Sequence, residues 1–135
     1  MSAVDLVVPR LKKEEGFRSH YYMDSTSHRT IGYGFNIDSG ITERSASALL
    51  QAQVAELHDS FMGQPWYANL DDVRRSVLLD MAFNLGTAGL LRFQKMLAAI
   101  IANDWTTAAK ECRVQNPELT SRYSALSQIL LTGVI

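Results

Sequence analysis

The chain has 135 residues, 47% of them hydrophobic, a single cysteine and a formal charge of −1 from thirteen Lys plus Arg against fourteen Asp plus Glu. That is enough apolar material to bury the core of one domain, while Cys112 on its own excludes an internal disulfide and any cysteine-based zinc cluster. The balanced charge lacks the positive excess that duplex nucleic acid demands, and no run reaches the roughly 18 apolar residues of a membrane span, so neither nucleic-acid binding nor stable membrane insertion is expected.

Residues 1–10 lack the charged start, apolar run and small-residue cleavage site of a signal peptide, which gives the expectation of a soluble protein made in the cytosol. Val4, Val7, Val8 and Leu11 then follow helical spacing, with Lys12, Lys13 and Glu14 on the wet side. Pro9 has to sit near the first turn or kink the helix. Gly16 is a natural stop, so a short helix ends at Glu14 or Glu15. Residues 17 to 36 change character: Tyr21-Tyr22, the turn-forming Asp24-Ser25-Thr26-Ser27, then Thr30-Ile31-Gly32-Tyr33-Gly34-Phe35 with period-two alternation. This reads as a hairpin.

Beyond Asp38-Ser39-Gly40, Thr42 has the chemistry of an N-cap, and Ala46, Leu50, Val54, Leu57 and Phe61 predict a helix that breaks at Gly63-Gln64-Pro65. Asn69 or Asp71 caps the next, through Val73, Val77, Leu78, Met81 and Leu85 to a stop near Gly86. Gly89 opens a further helix with Phe93, Met96, Leu97, Ile100 and Ile101. Asn103-Asp104 caps one from Trp105 to about Cys112, and Thr120 or Ser121 starts a last one through Leu126 and Leu130 to Gly133. There is no repeat, no low-complexity tract and no linker long enough to separate independent domains.

Glu15 at a helix end and Asp24 at a hairpin turn are placed to face each other across a groove between lobes. Glycoside hydrolysis needs one protonated carboxyl for the leaving oxygen and one ionised carboxylate to direct water or attack the sugar, and different environments set the two apart. The partial negative charge of a helix C-terminus favours the protonated form at Glu15. A polar turn rich in hydroxyls and backbone amides favours the charged form at Asp24. Thr30 is suited to hold a water through its hydroxyl, and Gly32 and Gly34 leave room for a sugar ring beside the strand. The bare pair proves little, since surface carboxylates are usually just solvated.

The context adds to it. Glu15-Gly16, Asp24 and Thr30-Ile31-Gly32-Tyr33-Gly34 resemble, at matching spacing, the Glu, Asp and Thr signature of the phage-type (T4-like) lysozymes. The stretch from Leu70 through Asp80-Met81-Ala82-Phe83-Asn84 to Gly89 resembles that family's central helix, and Phe93 and Asp104-Trp105 its later ones. The resemblance implies an α+β, lysozyme-like fold over 1–135, with a small β-hairpin lobe at about 14–45 and a mainly helical lobe at about 60–135 that includes the N-terminal helix. It implies muramidase activity on the glycan strands of peptidoglycan, cutting the β-1,4 bond from N-acetylmuramic acid to N-acetylglucosamine with inversion, which requires carboxyls roughly 6.5 to 9.5 Å apart. Glu15 is then the general acid, and Asp24 and Thr30 position water. Gly34, Phe35, Phe83, Asn84 and Arg122 are expected to contact substrate, with Arg122 matching an arginine that pairs with the acid.

The same resemblance implies a monomer that needs no cofactor, made in the host cytoplasm and reaching the wall through a membrane-permeabilising partner of the holin kind. Rival readings are a non-catalytic wall-binding protein and a lytic transglycosylase. The chain departs from the pattern in a shorter 34–42 region, which trims the small lobe, and in Phe35 where the family has a histidine. It also offers no clear match to a groove tryptophan around Arg113–Leu119.

Other features have plainer readings. His20, His28 and His58 share no ligand spacing, so no metal is expected. Cys112 reads as a small buried apolar residue, Trp66, Trp105, Phe83 and Phe93 as core or groove lining, and Arg74-Arg75 as a solvated helix face.

Overall fold

Ser2 starts the first helix, α1 (Ala3–Glu15), with a reciprocal capping box: its Oγ accepts from the Asp5 N–H at 3.1 Å while the Asp5 carboxylate accepts from the Ser2 N–H at 2.9 Å. This start lies ahead of the first apolar residue and puts Pro9 inside the helix instead of at its first turn. The far end is sharp. Gly16, at φ 68°, turns the chain away directly after Glu15, a backbone that a residue with a Cβ rarely adopts, and its N–H still closes onto the Lys12 carbonyl at 3.1 Å. The computed structural model describes residues 1–135 and divides into two compact units, Met1–Leu49 and Leu50–Ile135.

The rest of the first unit is an antiparallel sheet in the order β1 (Arg18–Met23), β2 (Arg29–Gly32), β3 (Phe35–Asn36). Tyr22 pairs with Thr30 and Met23 with Arg29; the register slips between Arg18 and Tyr22, and Thr30 pairs onward with Asn36. The hairpin reading is therefore extended by a third strand. Gly32 and Gly34 both take positive φ, 67° and 79°, so the alternating run breaks at Tyr33 and folds back. A two-stranded hairpin alone is marginal in water; here Asn36 adds a ladder, and Arg29 ties β2 to the loop after β3 through Asp38 at 2.7 Å.

The unit boundary falls within α2 (Glu43–Phe61), whose start is capped by the Thr42 hydroxyl accepting from the Ser45 N–H at 3.2 Å. Helix α3 (Asp72–Leu91) is capped by Asp71 through the Arg74 N–H at 2.9 Å. At Gly86 (φ 77°, ψ 160°) the helical backbone is interrupted where the sequence predicts a stop, then resumes to Leu91. Gly89 thus lies inside that second stretch and does not open the next helix; α4 runs Gln94–Ile101 from Phe93. Asp104 caps α5 (Trp105–Glu111) through the Thr107 N–H. A single 3-10 turn, Pro117–Leu119, which the apolar spacing gave no sign of, leads into α6 (Thr120–Thr132), closed by left-handed Gly133.

The buried side chains of this second unit form one cluster from Phe61, Trp66, Tyr67, α3, α4, Ala108, Cys112 and α6, with Tyr67, Leu78, Met81, Met96, Tyr123 and Leu130 fully enclosed. Arg74 and Arg75 correct the solvated-face reading: their side chains are only 14% and 17% exposed. Arg74 lies 3.9 Å from the centre of the Trp105 ring and donates to the carbonyls of Leu130 and Leu131, at 2.7 and 3.2 Å. Those carbonyls belong to the end of α6, where an intrahelical partner is missing and a cation is favoured. Arg75 reaches the Tyr67 and Ala68 carbonyls and sits over the Tyr67 ring. No helix is long and apolar enough to cross a membrane.

Candidate active site

Glu15, Asp24, Thr30, Gly34 and Phe35 all belong to the first unit. Glu15 is the last residue of α1 and is exposed. Its carboxyl lies against the backbone at Gly34: a Cβ built there would stand 2.6 Å from Oε2 and 2.9 Å from Cδ. Tyr33, the residue before, is gripped from α1 by Lys12, whose Nζ is 5.5 Å from the ring centre, and by Phe17 at 5.6 Å between ring centres. These two residues flank Glu15 in the chain, so the contacts that hold the β2–β3 turn also set where the carboxyl sits. In the sequence Lys12 reads only as part of the wet face of the helix and Phe17 only as part of the Glu15-Gly16-Phe17-Arg18 stretch; neither pattern assigns it a hold on Tyr33.

Asp24 occupies the β1–β2 turn. One of its oxygens, Oδ1, accepts from the Thr26 N–H at 2.9 Å, the Thr26 hydroxyl at 2.9 Å and the His28 N–H at 2.8 Å. The His28 amide is the main reason that the Asp24 carboxyl is held below the usual carboxylate range, with Thr26 adding to it and burial opposing. Hydrogen bonds to the ionised form thus fix both its charge and its rotamer. The side chain stays 33% exposed, and all these bonds fall on Oδ1, leaving Oδ2 free of protein partners. His28 Nδ1 lies 2.8 Å from the Thr26 hydroxyl. Since that hydroxyl gives its proton to Asp24, the imidazole donates to it.

Thr30 sits in the middle of β2 and is 4% exposed, the one buried polar side chain. Its hydroxyl donates to the His28 carbonyl at 3.0 Å, which leaves only its acceptor lone pairs for any further partner. Phe35 is exposed, and its ring lies over Gly32, where a Cβ would be 2.9 Å from it. That contact accounts for a glycine at 32.

Phe83, Asn84 and Arg122 belong to the second unit. Phe83 is 49% exposed on α3. Asn84 accepts at Oδ1 from the Tyr123 hydroxyl at 3.1 Å. The partner that the structure gives Arg122 is Asp80, held through Nε at 2.8 Å and through Nη2. Asp80 and Tyr123 are further residues that the sequence reading passed over; their partners are 42 and 39 positions away, a separation that local patterns do not encode. No group of three or more His, Cys, Asp or Glu side chains converges as metal ligands would.

A small antiparallel sheet after an N-terminal helix, followed by a helical unit, is an α+β architecture of the lysozyme-like kind. The chain belongs to the phage lysozyme family, whose model matches residues 12–126. It is similar to the "Pre-baseplate central spike protein Gp5" of Enterobacteria phage T4, 28% identical over 156 aligned positions that cover 91% of this chain and 27% of that protein. It is also similar to the "Probable T4-type lysozyme 1" of Dictyostelium discoideum, 27% identical over 115 positions, 78% of this chain and 68% of that protein. The chain therefore spans about a quarter of the length of the first relative and about two thirds of the second.

Proposed function

We propose that this chain is a muramidase that hydrolyses the β-1,4 bond between N-acetylmuramic acid and N-acetylglucosamine in peptidoglycan. The observation that carries the reading is the asymmetry of two carboxyls within the first unit. Glu15 ends a helix, exposed and packed on Gly34, whereas Asp24 has one oxygen saturated by donors and the other open. Membership of the phage lysozyme family supports it.

In the mechanism, Glu15 gives its proton to the glycosidic oxygen as the bond from that oxygen to the anomeric carbon breaks. A water donates one hydrogen to the Thr30 lone pairs and the other to Asp24 Oδ2, which leaves its own lone pair aimed at the anomeric carbon from the opposite face. Attack passes a proton to Asp24, and exchange with solvent restores both groups. This geometry inverts the anomeric centre. Gly34 and Phe35 bound the sugar on the sheet side. The biological role that goes with this chemistry is bacterial lysis by one lysozyme-like domain acting as a monomer, made in the host cytoplasm and admitted to the wall by a holin-type partner. Clearing of a peptidoglycan suspension by the wild type and not by Glu15→Gln tests the reading; equal clearing by the two would remove Glu15 from the reaction.

A further inference from the structure

We propose that Tyr123 is a positioning residue that locks the Asn84 carboxamide with its NH2 group turned outward, as a donor for an acetamido carbonyl of the glycan. The proposal rests on the reading of Asn84 as a sugar-contacting residue and deepens it.

Tyr123 on α6 is 1% exposed, and its hydroxyl has one partner, Asn84 Oδ1 at 3.1 Å. A buried hydroxyl has one proton to place. If Asn84 presented its NH2 to Tyr123, that proton would have no acceptor, so the carbonyl is the end that faces inward. Burial pushes the Tyr123 phenol up to about 12, so it stays a donor throughout the neutral range. With the oxygen fixed, the NH2 points away from Tyr123. It has no protein acceptor, and no buried side-chain nitrogen or oxygen in the molecule lacks a partner, so this nitrogen is open to solvent. Asn84 is half-buried on α3, and Phe83, the residue before it, is exposed. A pair of N–H donors held in one orientation and open to solvent suits the carbonyl oxygen of an acetamido group. One helical turn earlier on α3, Asp80 holds Arg122, the neighbour of Tyr123. Two side-chain links between α3 and α6 therefore fix the register in which Tyr123 meets Asn84.

The test measures KM and kcat on soluble, uncrosslinked glycan strands for wild type, Tyr123→Phe, Asn84→Asp, Asn84→Ala and the Tyr123→Phe/Asn84→Ala double variant. Loss of one orienting hydrogen bond predicts a rise in KM of about fivefold for Tyr123→Phe, with kcat changed by less than about twofold. Asn84→Asp keeps an oxygen for Tyr123 but has no N–H to offer, so its KM rises at least as far while its melting temperature stays near wild type. In the Asn84→Ala background the Tyr123→Phe effect disappears. An unchanged KM in Tyr123→Phe beside a raised KM in the Asn84 variants would overturn the positioning role and leave Asn84 as a sugar contact; independent, multiplicative effects would also overturn it. Unchanged KM in both Asn84 variants would remove Asn84 from the site and the proposal with it. A measurement free of turnover uses the wild type alone: a slowly exchanging Tyr123 hydroxyl proton with a nuclear Overhauser contact to Asn84 is expected by NMR, and a rapidly exchanging one overturns the proposal.

Discussion

The Glu15 carboxyl and the Gly34 backbone are in such close approach that any side chain at 34 must displace the acid: the first added carbon would lie 2.6 Å from Oε2. Gly34 also holds φ at 79°, a conformation that disfavours a Cβ by about 1 to 2 kcal/mol. Gly40, at φ 77°, shares that backbone but has nothing within 4 Å of its added carbon. Gly34→Ala and Gly40→Ala therefore carry comparable strain, and only the first moves Glu15. A shift of the acid by about 1 Å predicts a loss of roughly a hundredfold in turnover for Gly34→Ala, with near wild-type turnover for Gly40→Ala and similar decreases in melting temperature. Equal turnover in the two variants would contradict the link between Gly34 and the acid.

Asp24 gives a prediction with a definite pH window. Its folded value is lowered by the His28 amide and by Thr26, so its contribution to stability is complete above the unfolded carboxyl value of about 3.9 and is lost as the pH falls through the lower folded value. The melting temperature of Asp24→Asn should lie below wild type by a constant margin from neutral pH down to about pH 5, and the gap should close below about pH 4. Melting curves of the two proteins across that range check it; a gap that widens in acid contradicts the assignment.

Much of the helical unit was legible because its signals are local. Thr42, Asp71 and Asp104 each cap the helix that follows, and the stop at Gly86 appears as a break in backbone geometry. The small unit was harder. Thr30 to Phe35 alternates like a single strand, but two positive-φ glycines fold it into a turn and a third strand only two residues long. Such a strand has too few residues to show a period. Arg74 and Arg75 were misread for a different reason: a charge pair on a helix resembles a wet face until the carbonyls it serves, 56 and 57 residues away for Arg74, are brought to it. The motif residues Glu15, Asp24 and Thr30 are legible in the sequence, as is the hydroxyl-rich turn that keeps Asp24 charged, but the His28 amide on Asp24 and the hold of Lys12 and Phe17 on Tyr33 are not, since ordinary surface residue types acquire these tasks only through the turns they meet.

Arg74 should be the most costly surface-type residue in the helical unit to replace. It joins Trp105 on α5 to the carbonyl end of α6 and to Asp71, with little exposure. Loss of the charged hydrogen bonds and the ring contact predicts about 3 kcal/mol of destabilisation for Arg74→Ala. Arg74→Lys should recover little, because one ammonium cannot span both carbonyls and the ring. Chemical denaturation reads both values; a lysine variant as stable as wild type would show that charge alone suffices.

Cys112 is 1% exposed against Met81, and burial raises its thiol to about 12. The thiolate is the reactive form, so native protein should resist thiol reagents at neutral pH, with labelling at the rate at which the chain opens. Rapid stoichiometric labelling under native conditions would contradict the placement of this side chain.

The most direct test of the central claim is the chemistry of the new chain ends, followed by mass and NMR in a digest of purified peptidoglycan. The account predicts reducing N-acetylmuramic acid ends that carry one added water, first appearing as the α anomer, and none from Glu15→Gln. Anhydro ends, an initial β anomer, or undiminished products from Glu15→Gln would contradict a Glu15 acid working with an Asp24-bound water.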